Sequence, residues 1–463
     1  MKNIFLFLTL LLFAGTLTAQ SPTVENWLIN TTGITGKHYV SGNSTPIEDT
    51  AKANVQIVRY SDDYVYINSS GIPSYTVGPY LDGNPALATN NNWLFKIPQN
   101  PSENTGTRTE TPLGPIGVFI NGVPIYDYKD AASYSSSTRS DDMRNGDGVW
   151  NRNAILAEND GFDCAKGHPS PIFSGGRPGQ GTLEGGSYHH HQNPMAFNLD
   201  LVEVSEICDL YLADGLYNLD STVHSPLIGF AFDGYPIYGG YGYSDPIDAN
   251  SSIKRIESSY QERDITVRTH YANGTDVTDG PDVSSEYPIG WYREDYEYKT
   301  GSGDLDAYNG RFCKTPEFPN GTYAYFATVD KDWNSAFPYV IGLEYYGVVE
   351  TSNFVAGSGN SVEINEEVER YVPVSIIENN SEIKVGVYPN PSAEYLAIQI
   401  TGLIESDLQA SLYNLDGKLI KRTSISQGST IWYLDIRTIY AGEYVLLIEG
   451  NGYKASEKVI ISR

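Results

Sequence analysis

Short apolar runs broken by Gly, Pro, Asn and Asp recur from Ser21 to Gly347. Val55-Gln56-Ile57-Val58, Tyr64-Val65-Tyr66-Ile67, Val118-Phe119-Ile120 and Tyr323-Ala324-Tyr325-Phe326-Ala327 have the length and the β-branched or aromatic content of strands. Helical periodicity is scarce, and the pattern predicts short helices only over Trp150 to Glu158 and Ile253 to Glu262. The texture changes past Gly347. Residues 351–383 show no regular apolar spacing and carry six Glu against one Arg, so self-repulsion predicts an extended, flexible acidic linker. Strand patterning returns over Tyr395 to Ile400, Ala410 to Tyr413, Ile431 to Ile436, Tyr444 to Ile448 and Lys458 to Ile461, with Asp416-Gly417 and Asn451-Gly452 as hairpin-turn signals. The expected architecture is mainly β: a large loop-rich domain with some α over residues 21–347, the linker over 351–383, and a small C-terminal β-sandwich over 384–463.

Composition supports this picture, since charged residues make up only 19% of the 463 while Gly, Pro and Tyr number 45, 25 and 36. The net charge of −27 excludes nucleic acid as the expected partner, because phosphate binding rests on an excess of Lys and Arg. Residues 384–463 hold eight Lys/Arg and eight Asp/Glu, so the whole excess of negative charge lies upstream. Residues 1–19 have the form of a signal peptide, with Lys2, an apolar core from Ile4 to Phe13, and Leu17-Thr18-Ala19 at the cleavage site. No later run approaches the roughly 20 apolar residues that span a bilayer, so a chain exported without a transmembrane segment is expected. Export permits one internal disulfide among Cys164, Cys208 and Cys313. Cys164 and Cys208 bracket a histidine-rich segment and are the preferred pair, with a metal-bound thiolate as the competing use.

That segment carries the sharpest chemical signal. Tyr188-His189-His190-His191 sets three of seven histidines in a row, with His168 upstream and His224 downstream. In a strand, residues two apart share a face, so His189 and His191 can reach one ion while His190 turns away. A third or fourth donor is what tight zinc or copper binding requires, and His168 and His224 are the candidates. Asp233, ahead of Gly234, is either a turn former or a further ligand.

Two resemblances give context. Val387-Tyr388-Pro389-Asn390-Pro391, Leu412-Tyr413-Asn414-Leu415-Asp416-Gly417-Lys418 and Ala441-Gly442-Glu443-Tyr444 resemble the type A C-terminal sorting domain of type IX secretion in Bacteroidetes. That resemblance implies the type IX secretion machinery as a partner, passage through the outer membrane, and release or attachment at the cell surface. Asn121-Gly122-Val123-Pro124-Ile125-Tyr126, Gly167-His168-Pro169, Tyr188 to His191, His224 to Gly239 and Asn309-Gly310-Arg311-Phe312 are similar to the YHYH-domain family, over about residues 115–347. The family implies an exported domain with a suspected metal function. His190 stands where the second tyrosine of its name motif would be.

The expected function is therefore a secreted or surface protein with a copper or zinc site at His189, His191, His168 and His224, with Asp233 nearby. No residue stands out as a general base, so the sequence names no reaction. The alternative is an adhesion module that recognises an extracellular glycan or protein through Tyr and Trp, its histidines being structural.

Overall fold

The computed structural model describes residues 21–80, 82, 84, 86–175, 181–194, 219–354, 361–373, 384–401, 407–414, 418–426, 431–450 and 453–462. The expected signal peptide, Cys208 and the turn dipeptides 416–417 and 451–452 lie outside them. The chain divides into two compact units, residues 1–371 and 372–463. Both are mainly β.

The larger unit is organised around two sheets. One has the strand order Gly310–Cys313, Thr322–Phe326, Pro236–Tyr238, Leu227–Ala231, Pro115–Phe119, Pro124–Tyr126, and only its Pro236–Tyr238/Thr322–Phe326 pair is parallel. The other is antiparallel, with Glu369–Tyr371, Val55–Tyr60, Tyr64–Ser69 and Trp93–Pro98 in that order. Their apolar side chains meet in one cluster that includes Val58, Ile67, Phe95, Val118, Phe230 and Tyr325. Aromatic contacts stitch the cluster, with Trp27 and Phe230 at 5.4 Å and Phe95 stacked on Phe232 at 6.0 Å between centroids. Leu227–Ala231 is buried at every position, which explains why it reads as a continuous apolar run rather than an alternating one.

Three segments differ from the sequence reading. The Ile253 to Glu262 helix is absent: Ile253–Arg255 pairs with Tyr241–Tyr243, and Tyr260–Glu262 pairs with Tyr296–Tyr298. Partners remote in sequence override a weak local periodicity. Of Trp150 to Glu158, only Ala154–Ala157 is helical; Asn153 Oδ1 accepts from the Ile155 N–H and starts the helix after a short strand at Asn151–Asn153. The acidic stretch expected to be a spacer contributes Glu369–Tyr371 as an edge strand. Two of its carboxylates are used there, Glu366 accepting from Tyr66 OH at 2.5 Å and Glu369 from Tyr60 OH at 2.7 Å.

In the smaller unit, a sheet of Lys384–Tyr388, Tyr395–Thr401 and Ile431–Asp435 and a sheet of Leu419–Ile425, Leu408–Asn414, Gly442–Gly450 and Tyr453–Ile461 share one apolar cluster. Leu396, Ile398, Leu412, Leu446 and Val459 fill it, which makes the unit a small β-sandwich.

One turn next to the candidate site depends on a glycine. Gly122 joins Pro115–Phe119 to Pro124–Tyr126 at φ +80, and a β-carbon there would overlap the Ser69 side chain. Gly122→Ala should therefore lose about 1–2 kcal/mol from the left-handed backbone alone, and more from the overlap. Urea denaturation checks this; an unchanged midpoint would mean that the turn relaxes freely.

Candidate metal centre

The site is built on a two-stranded ribbon in which His168–Phe173 runs antiparallel to Leu183–His189. The register pairs His168 directly with His189, so both side chains rise on one face as a cross-strand pair. His191 follows two residues later on that face. The three rings lie 4.6 Å (168–189), 4.9 Å (189–191) and 5.5 Å (168–191) apart between centroids. All three are buried, and one ligand atom from each lies within 4.8 Å of the others.

Backbone contacts fix the ring orientations. His189 Nδ1 donates to the Ser187 carbonyl at 2.9 Å, and His191 Nδ1 donates to the Asp127 carbonyl. A carbonyl oxygen only accepts, so both Nδ1 atoms carry a proton, and in the neutral rings both Nε2 atoms present a lone pair. These two Nε2 atoms face each other at 3.1 Å. Tyr126 lies flat on His189 at 3.8 Å, and Phe162 packs on His168 at 4.7 Å. A backbone bond from Tyr126 N to His190 O, 2.9 Å, ties the ribbon to the edge of the six-stranded sheet.

Glu158, at the C-terminal end of the Ala154–Ala157 helix, is the residue that sequence reasoning missed. Its Oε2 lies 3.1 Å from His168 Nε2 and 3.3 Å from His191 Nε2. Both Glu158 Oε2 and His168 Nε2 are buried without a hydrogen-bond partner, so their approach lacks hydrogen-bond alignment. Burial opposes charge on Glu158, yet the two imidazoles hold its carboxyl well below the usual range. Burial also drives His189 well down, helped by the two neighbouring imidazoles, so it is neutral at physiological pH. His191 moves up despite burial, because Glu158 and the Asp127 carbonyl favour its charged form. Among 57 acidic residues nothing in the sequence marks Glu158 as a site residue; the helix expected over Trp150 to Glu158 ends on it, but its approach to the histidines is visible only in three dimensions.

The remaining candidates lie elsewhere. His190 points to the opposite face, where its Nδ1 donates to Lys166 O at 2.9 Å and its Nε2 accepts from Tyr75 OH at 2.6 Å. His224, expected as a completing ligand, is not part of the group. Its ring sits between Tyr238 and Tyr243, at 5.1 and 4.8 Å, and its Nδ1 donates to Ser225 O. Asp233 is also absent from it: the carboxylate accepts from Tyr325 OH at 2.6 Å and from Gly347 N at 2.8 Å, and locks a turn. Cys164 is disulfide-bonded and Cys313 is a free, buried thiol. Trp27, Trp93 and Trp150 are buried, which removes them from any sugar-stacking surface.

Residues 94–338, just over half of the chain, match the YHYH protein family. The chain belongs to the YHYH family. The tripod histidines, Glu158 and Tyr126 all fall inside the matched region. Residues 386–462 match the secretion system C-terminal sorting domain, so this YHYH protein is exported by the type IX machinery to the cell surface or extracellular space. Among the described residues no helix is long and apolar enough to cross a membrane. No curated protein matches the chain.

Asp233 offers a check on its structural assignment. Burial raises its pKa from 3.8 to about 6, against the donors Tyr325 OH and the N–H groups of Gly347 and Tyr235. Folding thus favours the protonated carboxyl: the contribution is complete below about pH 4 and is lost as pH rises through about 6, up to about 3 kcal/mol. The stability difference between the native protein and Asp233→Asn, measured by denaturant titration, should shift toward the variant between pH 4 and pH 7.5. A difference independent of pH would contradict the raised pKa.

Proposed function

We propose that this exported YHYH-family protein binds one transition-metal ion, zinc or copper, through Nε2 of His168, His189 and His191. The observation that carries this reading is the approach of the His189 and His191 Nε2 atoms to 3.1 Å with both rings buried. Two unprotonated nitrogens repel at that distance unless a positive charge sits between them. One extra proton, on His191, serves that pair but leaves His168 Nε2 unaligned with any partner. A cation at the centre serves all three.

The donor chemistry fits. Neutral imidazoles held by Nδ1–H to carbonyl bonds are the usual arrangement around zinc and copper, and three nitrogens leave coordination open for an oxygen ligand. When bound, such an ion supplies Lewis acidity toward water or a carbonyl group and, in the case of copper, one-electron redox chemistry. The chain's own part is to keep the three rings oriented and shielded, with Tyr126 and Phe162 as walls. The acidic surface raises the local concentration of cations before binding.

Isothermal titration and elemental analysis of the metal-stripped protein test this. Zn²⁺ or Cu²⁺ should bind one per chain, with affinity reduced roughly a hundredfold, on the order of 2.7 kcal/mol, by His189→Ala or His191→Ala. His224→Ala should bind as the native protein does. Saturating metal should also raise the melting temperature of the native protein and not of the His189→Ala protein, because an ion that binds only the folded state stabilises it by mass action. Binding that is absent, or equal in all three variants, would refute the site.

A further inference from the structure

Glu158 reaches the tripod from outside the ribbon, and its backbone is firmly held. Glu158 N donates to Ala154 O at 2.9 Å, Gly161 N donates to Glu158 O at 2.7 Å, and Ala154 N donates to Tyr128 O at 2.9 Å. A carboxylate fixed in this way is placed by the fold rather than swung in by chance. Its Oε2 is shared between two histidines that make no aligned hydrogen bond with it. Lone pairs converging on a common point give that geometry.

Three of the six donor separations agree. Four ligands about 2.0–2.1 Å from an ion lie roughly 3.3–3.4 Å apart in a tetrahedron and about 2.9 Å apart along the edges of an octahedron. The observed contacts, 3.1 Å for His189–His191, 3.1 Å for Glu158–His168 and 3.3 Å for Glu158–His191, fall between those limits. The four donors differ in exposure. The Glu158 side chain is 27% accessible, whereas those of His168 and His191 are 9% and 4%. Glu158 Oε2 itself is buried, and the rest of its side chain gives the centre its most accessible side.

We propose that Glu158 is the fourth ligand of a three-histidine, one-carboxylate centre, and that it is the displaceable one: a small anion reaches the ion by taking the place of its Oε2. This rests on the tripod binding a metal. The exchange is a simple ligand substitution, in which one metal–oxygen bond breaks, one metal–anion bond forms, and the freed carboxylate turns toward solvent. The three histidines, walled in by Tyr126 and Phe162, stay bound.

Co²⁺ and azide are suitable probes, since the visible bands of Co²⁺ report its ligands. The native protein should take up one Co²⁺ and bind azide weakly, in competition with Glu158. Glu158→Gln and Glu158→Ala, both checked for folding by thermal melting, should bind Co²⁺ at least tenfold more weakly and azide at least tenfold more tightly. Unchanged Co²⁺ affinity, spectrum and azide affinity in both variants would overturn the role of Glu158 while leaving the tripod intact. Failure of the native protein to bind Co²⁺ at all would instead refute the tripod itself, so the two outcomes are distinct.

Discussion

The hydrogen-bonded ladder between His168–Phe173 and Leu183–His189 sets His168 directly opposite His189, and a slip of one residue would put the two rings on opposite faces. Everything at the candidate centre follows from that register. His191 continues the face, Tyr126 covers it, and Glu158 closes it from a helix that precedes the ribbon in the chain. Register also decides which histidine is left out, because His190 must then point backwards.

The backward face keeps the register from slipping. Tyr188 OH donates to Asp163 Oδ2 at 2.9 Å, and Asp163 also accepts from the N–H groups of Gly78, Ala165 and Gly167. Burial pushes the Asp163 carboxyl up to about 7, against these four donors. The donors knit the 163–167 turn that leads into His168 to the strand that carries His189. A strand buried on both faces, with polar groups satisfied on one side and imidazoles gathered on the other, has a single acceptable pairing. The same burial drives the His190 pKa down to about 3, so that ring is a neutral hydrogen-bond bridge between Lys166 O and Tyr75 OH.

Much of this was legible in the chain. Alternation along Tyr188 to His191 assigns the two faces without any structure, since a strand has only two. The mainly β character and the secretion tail were likewise readable from local pattern and motif. What escaped depends on contacts between segments far apart in sequence. His168 could be named as a candidate but not placed, because its position is set by pairing with His189 across about 20 residues. His224 looked equally suitable, yet its chain leads into the Leu227–Ala231 strand and its ring packs on Tyr238 and Tyr243. Asp233 was ambiguous between turn and ligand, and the donors Tyr325 and Gly347 that occupy its carboxylate come from 92 and 114 residues downstream. Glu158 carried no mark as a site residue, one acidic residue among 57.

The central claim is that the three Nε2 atoms converge on a cation. Diffraction from crystals grown with Zn²⁺ or Cu²⁺, collected on either side of the metal's absorption edge, addresses it most directly. The expected result is one strong anomalous peak about 2.0–2.1 Å from Nε2 of His168, His189 and His191. No peak at that point, in crystals where the metal occupies a different part of the molecule, would contradict the account.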